Sequence, residues 1–326
     1  MDAKNTMIPQ YPWLIPLWKK WQVSLESNHF SNAVLLETAT GFGSEALVSA
    51  LSRAVLCQNN LSEGCGFCHG CQLMESNSHP DFHSVQPEKE GKAITVEQIR
   101  QCSRVAYESS QLGGSRLFVI EPAEFMNEAA ANALLKTLEE PPEKCIFLLV
   151  TNRVSALMPT IISRCQKWRT PQLDYQDVMQ WLEQRLDQPV ASYIPHLVGG
   201  APLSALAFIE QNQSQQYTSI ESELIKLARG DADIMSLSKM ISVEPLERLS
   251  WIWHILTDAQ KIQYGVLKPF YTPCSETLSK VKSYAFLYDQ SRELLTLLNR
   301  LGEHSGLNAE LLIMDWLFNF NEETCL

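Results

Sequence analysis

Positive charge is in short supply. The chain of 326 residues carries 26 Lys and Arg against 37 Asp and Glu, a formal net charge of −11. Nucleic-acid binding is driven by Lys and Arg displacing counterions from phosphates, so such a chain is not expected to grip DNA over a broad face by itself. Any DNA role is local or shared with partners. Long apolar runs are also missing: none approaches the roughly 18 residues that suggest a membrane span. The stretch MDAKNTMIPQYPWLIPLWKKW has an acidic second residue and prolines at 9, 12 and 16, and lacks the basic start and unbroken apolar segment of a signal peptide. A cytoplasmic location is expected. A hydrophobic content of 45% is ordinary for a soluble globular protein, and the length suits two or three domains, each with its own core.

What is present reads as alternating strands and helices in the first half. AVLLE (33–37) is a short apolar run leading into a glycine-containing turn and a helical pattern through Leu47, Leu51 and Val55. Thr95 followed by Gln98 has the spacing of a capping box, ahead of Ile99, Cys102 and Ala106 on one helical face. RLFVIEP (116–122) and KCIFLLVTN (144–152) are β-rich runs suited to a parallel sheet covered on both faces. Between them a helix is expected from the N-cap Asn127, with Glu128 in its first turn, to the stop at Pro141 and Pro142. The first ~165 residues therefore predict an α/β unit with a parallel sheet.

After Trp168 the pattern becomes helical, with a GGAP turn at Gly199–Pro202. Leu246, Leu249, Trp253 and Leu256, and likewise Leu294, Leu295, Leu298 and Leu301, recur at helical spacing and predict core or subunit-interface packing. EQNQSQQ (210–216) is a polar stretch suited to a domain junction.

The segment Glu37–Cys57, ETATGFGSEALVSALSRAVLC, starts like a phosphate loop and lacks the side chains such a loop uses. A working loop reads G-x-x-x-x-G-K-[ST]: backbone N–H groups cradle the phosphates, the Lys reaches the terminal phosphates and the hydroxyl holds Mg²⁺. With Gly43 in register, Thr38 stands at the first glycine, Ser44 at the lysine and Glu45 at the hydroxyl. A carboxylate near the helix N-terminus takes up the positive dipole end that would serve an anion. At ~4 Å and an effective dielectric of ~20 it repels a phosphate charge by about 4 kcal/mol. Tight binding of Mg-nucleotide is not expected, and TGFG by itself is equally readable as a plain turn.

Four of the nine cysteines, Cys57, Cys65, Cys68 and Cys71, fall within fifteen residues; Cys102, Cys145, Cys165, Cys274 and Cys325 are scattered. In a reducing compartment a dense cluster points to metal rather than disulfides. The spacing C-x7-C-x2-C-x2-C can supply four thiolates to one structural zinc with no open position, Gly66 and Gly70 easing the turns. His69, His79 and His83 are the alternative ligands. A redox C-x-x-C pair is the other reading.

LFVIEPAEF has the form of the strand that presents the Mg-coordinating acid and the water-polarising glutamate in ATPases, but Glu121 is followed by Pro122, which can neither activate water nor accept a proton. NALLKTLEEPP (132–142), VTN (150–152) and ISRC (162–165) follow in order. With YPWL at 11–14, the set resembles the clamp-loader branch of the AAA+ family, in layout over the whole chain and most specifically over 33–166.

The resemblance implies an α/β AAA+-like domain at 1–168 with a zinc module at 57–71, a small helical lid at 169–209, and an all-α collar and oligomerisation domain at 210–326. A zinc module sits at this place in related clamp-loader subunits. Active members sense nucleotide through a lid arginine, and Leu203 holds that position here. The implied protein has a degenerate site at Thr38, Gly43, Ser44, Glu45, Glu121, Pro122 and Leu203. It binds no ATP and has no ATPase activity of its own. Its implied partners are gamma/tau-type motor subunits and a delta-type subunit in a hetero-oligomeric ring of the bacterial DNA polymerase III holoenzyme, and, through the assembled ring, the sliding clamp and primed DNA. Arg164 of ISRC is implied to be an arginine finger acting in trans on a neighbouring subunit's ATP. An ordinary ion-paired surface arginine is the plain alternative. Lys136 and Glu139 suit a helix-surface pair at i,i+3.

Two readings from other classes compete. An active motor ATPase needs Lys and Ser or Thr at 44 and 45 and an acid at 122. A zinc-dependent DNA-binding or redox protein predicts a basic surface or an exposed reactive thiol pair.

Overall fold

The structure is a computed structural model that describes residues 8–59, 62–89, 91–231, 233–303 and 306–322. Cys325 and the first seven residues of the N-terminal stretch lie outside them. The chain divides into two compact units, Met1–Gln172 and Leu173–Leu326.

Five strands build the first unit: β1 (Ala33–Glu37), β2 (Phe82–Val85), β3 (Arg116–Ile120), β4 (Cys145–Thr151) and β5 (Gln166–Arg169). They form one sheet in the order β2-β3-β4-β1-β5, with every pairing parallel. Parallel pairing needs crossovers that cover both faces, which is why β3 is buried at every position and β1 at all but its last. The helices are α1 (Ile15–Glu26), α2 (Ser44–Val55), α3 (His69–Glu75), α4 (Val96–Ala106), α5 (Glu128–Glu139) and the short α6 (Pro159–Ile162).

The expected caps are present. Thr95 and Gln98 form a reciprocal capping box at α4, the Gln98 N–H donating to Thr95 Oγ1 and the Thr95 N–H to Gln98 Oε1 at 2.9 Å. The Ala130 N–H donates to Asn127 Oδ1 at 2.8 Å, starting α5. Alternate strand residues Leu35, Phe118, Ile120, Phe147 and Leu149 share one core with Ile99, Cys102, Ala106, Leu134 and Leu138 of α4 and α5. Fully burying side chains of this size contributes about 1.5–3 kcal/mol each, so this layer fixes the strand register.

The second unit is helical: α7 (Tyr175–Leu186), α8 (Tyr193–Leu197), α9 (Pro202–Glu210), α10 (Gln213–Ala228), α11 (Ile234–Ser242), α12 (Pro245–Gln263), α13 (Ser275–Val281), α14 (Tyr284–Glu303) and α15 (Ala309–Glu322). Gly199 and Gly200 both have positive φ in the turn between α8 and α9, where a side chain would be strained. EQNQSQQ contains the two-residue turn Gln211–Asn212 between α9 and α10, and Gln213 is buried, its amide donating to Glu247 at 3.0 Å. The helical stripes are only partly buried. Leu249, Leu256 and Leu294 are in the core, whereas Leu246 and Leu295 are 46% and 44% exposed. On α12 the apolar core side is carried by Leu249, Trp251, Ile252, Ile255, Leu256 and Ala259, a wider band than spacing from Leu246 predicts.

Candidate functional site

The loop after β1 leaves the carboxyl end of a strand flanked by β4 and β5, the place where open α/β sheets put ligands. Its own backbone is braced. Thr38 is buried, and its N–H donates to the Thr151 carbonyl oxygen at 2.9 Å. The Trp13 indole N–H, from YPWL, donates to the Phe42 carbonyl oxygen at 2.8 Å, and Phe42 is itself buried. Gly43, with φ 81°, caps α2 in the left-handed region that disfavours a side chain.

Ser44 and Glu45 open α2, and Ser44 meets Glu121 at the end of β3. Burial pushes the Glu121 carboxyl up from the usual range, and the Glu45 charge pushes it further; a hydrogen bond from Ser44 opposes both. Among the described residues no Lys or Arg forms an ion pair with Glu121. The loop thus faces acids where a phosphate loop supplies a lysine. Pro122 follows directly and contributes no acid. Leu203 lies in the second unit, in the first turn of α9.

The cysteines converge. The Sγ atoms of Cys57, Cys65, Cys68 and Cys71 all lie within 4.8 Å of one another, with Cys57–Cys68 and Cys65–Cys71 both at 3.9 Å. Four sulfurs at ~2.3 Å around a tetrahedral ion would be about 3.8 Å apart, so the set fits a divalent metal of that kind. Backbone N–H groups already face the sulfurs: those of Asn59 and Cys65 donate to Cys57, that of Cys68 to Cys65 and that of Cys71 to Cys68, each at 3.4 Å. Desolvation pushes the Cys65 thiol up, but the N–H groups of Phe67 and Cys68 outweigh it and bring it down to about 6; burial pushes Cys71 up to about 12. A cation among them would favour thiolate throughout.

The three histidines are placed elsewhere. His69 begins α3, and His83 stacks on Phe118 at 4.7 Å. The buried His79 accepts the Asp81 N–H at Nδ1. Gly66 has positive φ, as a turn position should. Gly70 corrects expectation: it lies inside α3 and serves close packing rather than a turn.

Arg164, just beyond α6, has a defined setting. Its Nε donates to Glu139 Oε1 at 2.8 Å, its Nη2 donates to the same oxygen, and its Nη1 donates to the Thr160 carbonyl oxygen at 2.8 Å. Glu139 is therefore the partner of Arg164 and not of Lys136 three residues before it, because the end of α5 and the turn after α6 are packed side by side.

Sequence reading missed two buried clusters. Asp81 accepts from Ser110 Oγ and the N–H groups of Gln111 and Leu112 at 2.9–3.1 Å, fixing the loop before β3. In the second unit the buried Asp258 accepts from His196 at 2.9 Å and from the Thr272 N–H and hydroxyl, both at 3.1 Å. Partners 14 or more residues apart leave no local signal.

A five-stranded, all-parallel α/β unit followed by a helical unit defines the class. A family model described as "DNA polymerase III, delta subunit" matches residues 15–174, and one described as "DNA polymerase III, delta subunit, C terminal" matches 211–322. DNA polymerase III subunit delta' of Yersinia pestis is 34% identical, over 97% of this chain and 96% of the relative. Its namesake in Escherichia coli (strain K12) is 32% identical over 94% of each. Among solved structures, a DNA polymerase III, gamma subunit-related protein from Thermotoga maritima is 19% identical with a TM-score of 0.43, covering 94% of this chain and 99% of that one. The chain belongs to the DNA polymerase III delta' subunit family.

Proposed function

We propose that the chain is a non-catalytic clamp-loader subunit that helps place a sliding clamp on primed DNA and lends Arg164 to the ATP site of a neighbouring motor subunit. The observation that carries this reading is the altered loop in a chain of this family: Ser44 and Glu45 stand where lysine and hydroxyl belong, and Glu121 faces them without a cation. Such a site offers an anion no lysine and adds carboxylate repulsion, so the chain itself neither holds nor hydrolyses ATP. An active motor is disfavoured by Ser44 and Glu45 together with Pro122. A DNA-binding protein acting alone is disfavoured by the charge of −11.

In this reading Cys57, Cys65, Cys68 and Cys71 hold one structural zinc, whose chemistry is to cross-link the segment between α2 and α3. The helices of 169–209 serve as lid and those of 210–326 as collar, joining gamma/tau-type motors and a delta-type subunit in the ring. Cytoplasmic residence follows from that role, and no helix among the described residues is long and apolar enough to cross a membrane.

Co-purification from native extract tests the assignment. The chain should travel with a multi-subunit ATPase and bind a sliding clamp only in its company. Recovery as a lone species, with no ATPase partner, contradicts it.

A further inference from the structure

A guanidinium has five N–H donors. In Arg164 three are engaged, two by Oε1 of Glu139 and one by the Thr160 carbonyl oxygen. One N–H on each terminal nitrogen is left, enough for a two-point hold on a phosphate. Glu139 is the last residue of α5, where the helix dipole disfavours a carboxylate, so local helix stability does not account for it.

We infer that Glu139 is a positioning residue for Arg164: together with the Thr160 carbonyl it sets the plane of the guanidinium and leaves the remaining donors for a neighbour's phosphate. This rests on the trans role proposed for Arg164. Magnitude separates a guide from a lock. The side chains are 31% and 48% exposed, and pairs this open bias a conformation by about fivefold at most. That is too weak to withhold an arginine from a phosphate charge, yet enough to narrow the directions in which it points. Both partners are carried on packed helical segments, since α6 starts at Pro159 with φ fixed and α5 is capped by Asn127.

The test is a mutant cycle in the reconstituted clamp-loader complex, reading DNA- and clamp-stimulated ATP hydrolysis. Glu139→Ala should lower kcat by up to about fivefold, the upper limit of the population bias of such a pair, with KM for ATP unchanged. Glu139→Gln, which keeps the accepting oxygen, should retain most of the rate. Glu139→Asp keeps the charge but withdraws it, and should behave like Ala; it also stands in should the Ala complex fail to assemble. Adding Glu139→Ala to Arg164→Ala should change nothing further. If Arg164→Ala lowers the rate and neither Glu139→Ala nor Glu139→Asp does, this inference is wrong while the trans role stands. A rise in kcat on removing Glu139 would also overturn it, making the carboxylate a restraint. An Arg164→Ala complex with full activity removes the trans role and this inference with it.

Discussion

Gly70 sits so close to Leu56 that a Cβ at 70 would stand 2.5 Å from the Leu56 carbonyl oxygen. That contact seats the four-cysteine segment on the end of α2. The contacting atom is backbone and cannot swing aside. Gly70→Ala is therefore expected to displace α3 and destabilise the first unit by about 1–3 kcal/mol, the usual penalty for overpacking. Bound zinc should be reduced in parallel. Cys68→Ser should release zinc altogether and loosen the segment locally. Thermal unfolding with elemental analysis on protein kept reduced checks both; unchanged zinc and unfolding temperature in Gly70→Ala would contradict the packing argument.

The half-buried Glu121 gives a second prediction with a definite sign. Its folded pKa is raised, so the charged form is disfavoured by folding, and stability declines as pH rises from the unfolded value of about 4.3 through the folded one. Glu121→Gln should raise the unfolding temperature at neutral pH and remove that decline. Its effect on ATP binding by the isolated chain should be nil, because Ser44 and Pro122 still lack the required groups. Denaturation curves across acid and neutral pH decide the matter. A stability loss at neutral pH would show that the Glu121 charge is instead supported by the loop.

Around Asp258 the pH dependence runs the other way. Burial pushes the Asp258 carboxyl up, but the hydrogen bond and charge of His196, with the Thr272 N–H and Lys261, outweigh it and hold it below the usual range. Beside it His254 is pushed down to about 4, chiefly by burial and then by His196. The unfolded chain therefore binds more protons than the folded one as pH falls from about 6.5, first at His254 and, below about 4, at Asp258. The second unit should lose stability over both intervals. Asp258→Asn should destabilise it at pH 7 by about 2 kcal/mol, the scale of hydrogen bonds to a charged group, and flatten the most acidic loss. Flat stability between pH 7 and 4 would count against the assignment.

The sequence announced what is local. Strand composition, the Thr95–Gln98 box, the Asn127 cap and the cysteine spacing each act over a few residues, and each stands where periodicity put it. The site's finer arrangement was not legible in the same way. Trp13 bracing Phe42, Glu139 holding Arg164 and His196 meeting Asp258 join residues 29, 25 and 62 apart. Their pairing is decided by how helices land on one another, a tertiary outcome. Leu246 and Leu295 belong to stripes whose spacing predicts core or subunit-interface packing, and within this chain the neighbouring helices cover a face centred on other residues.

In the proposed function this chain supplies an arginine to a nucleotide it does not itself hold. ATP turnover by the reconstituted complex carrying Arg164→Ala, stimulated by primed DNA and the sliding clamp, tests it most directly. Trans-acting arginines contribute about 10³–10⁵ in rate in well-studied phosphoryl-transfer systems, and the effect on a ring with several sites should be smaller. Folding, zinc content and assembly should stay intact, ATP hydrolysis and clamp loading should fall markedly, and Arg164→Lys, whose ammonium lacks the planar fork, should restore them only in part. Full ATPase and loading rates from a normally assembled Arg164→Ala complex would contradict it.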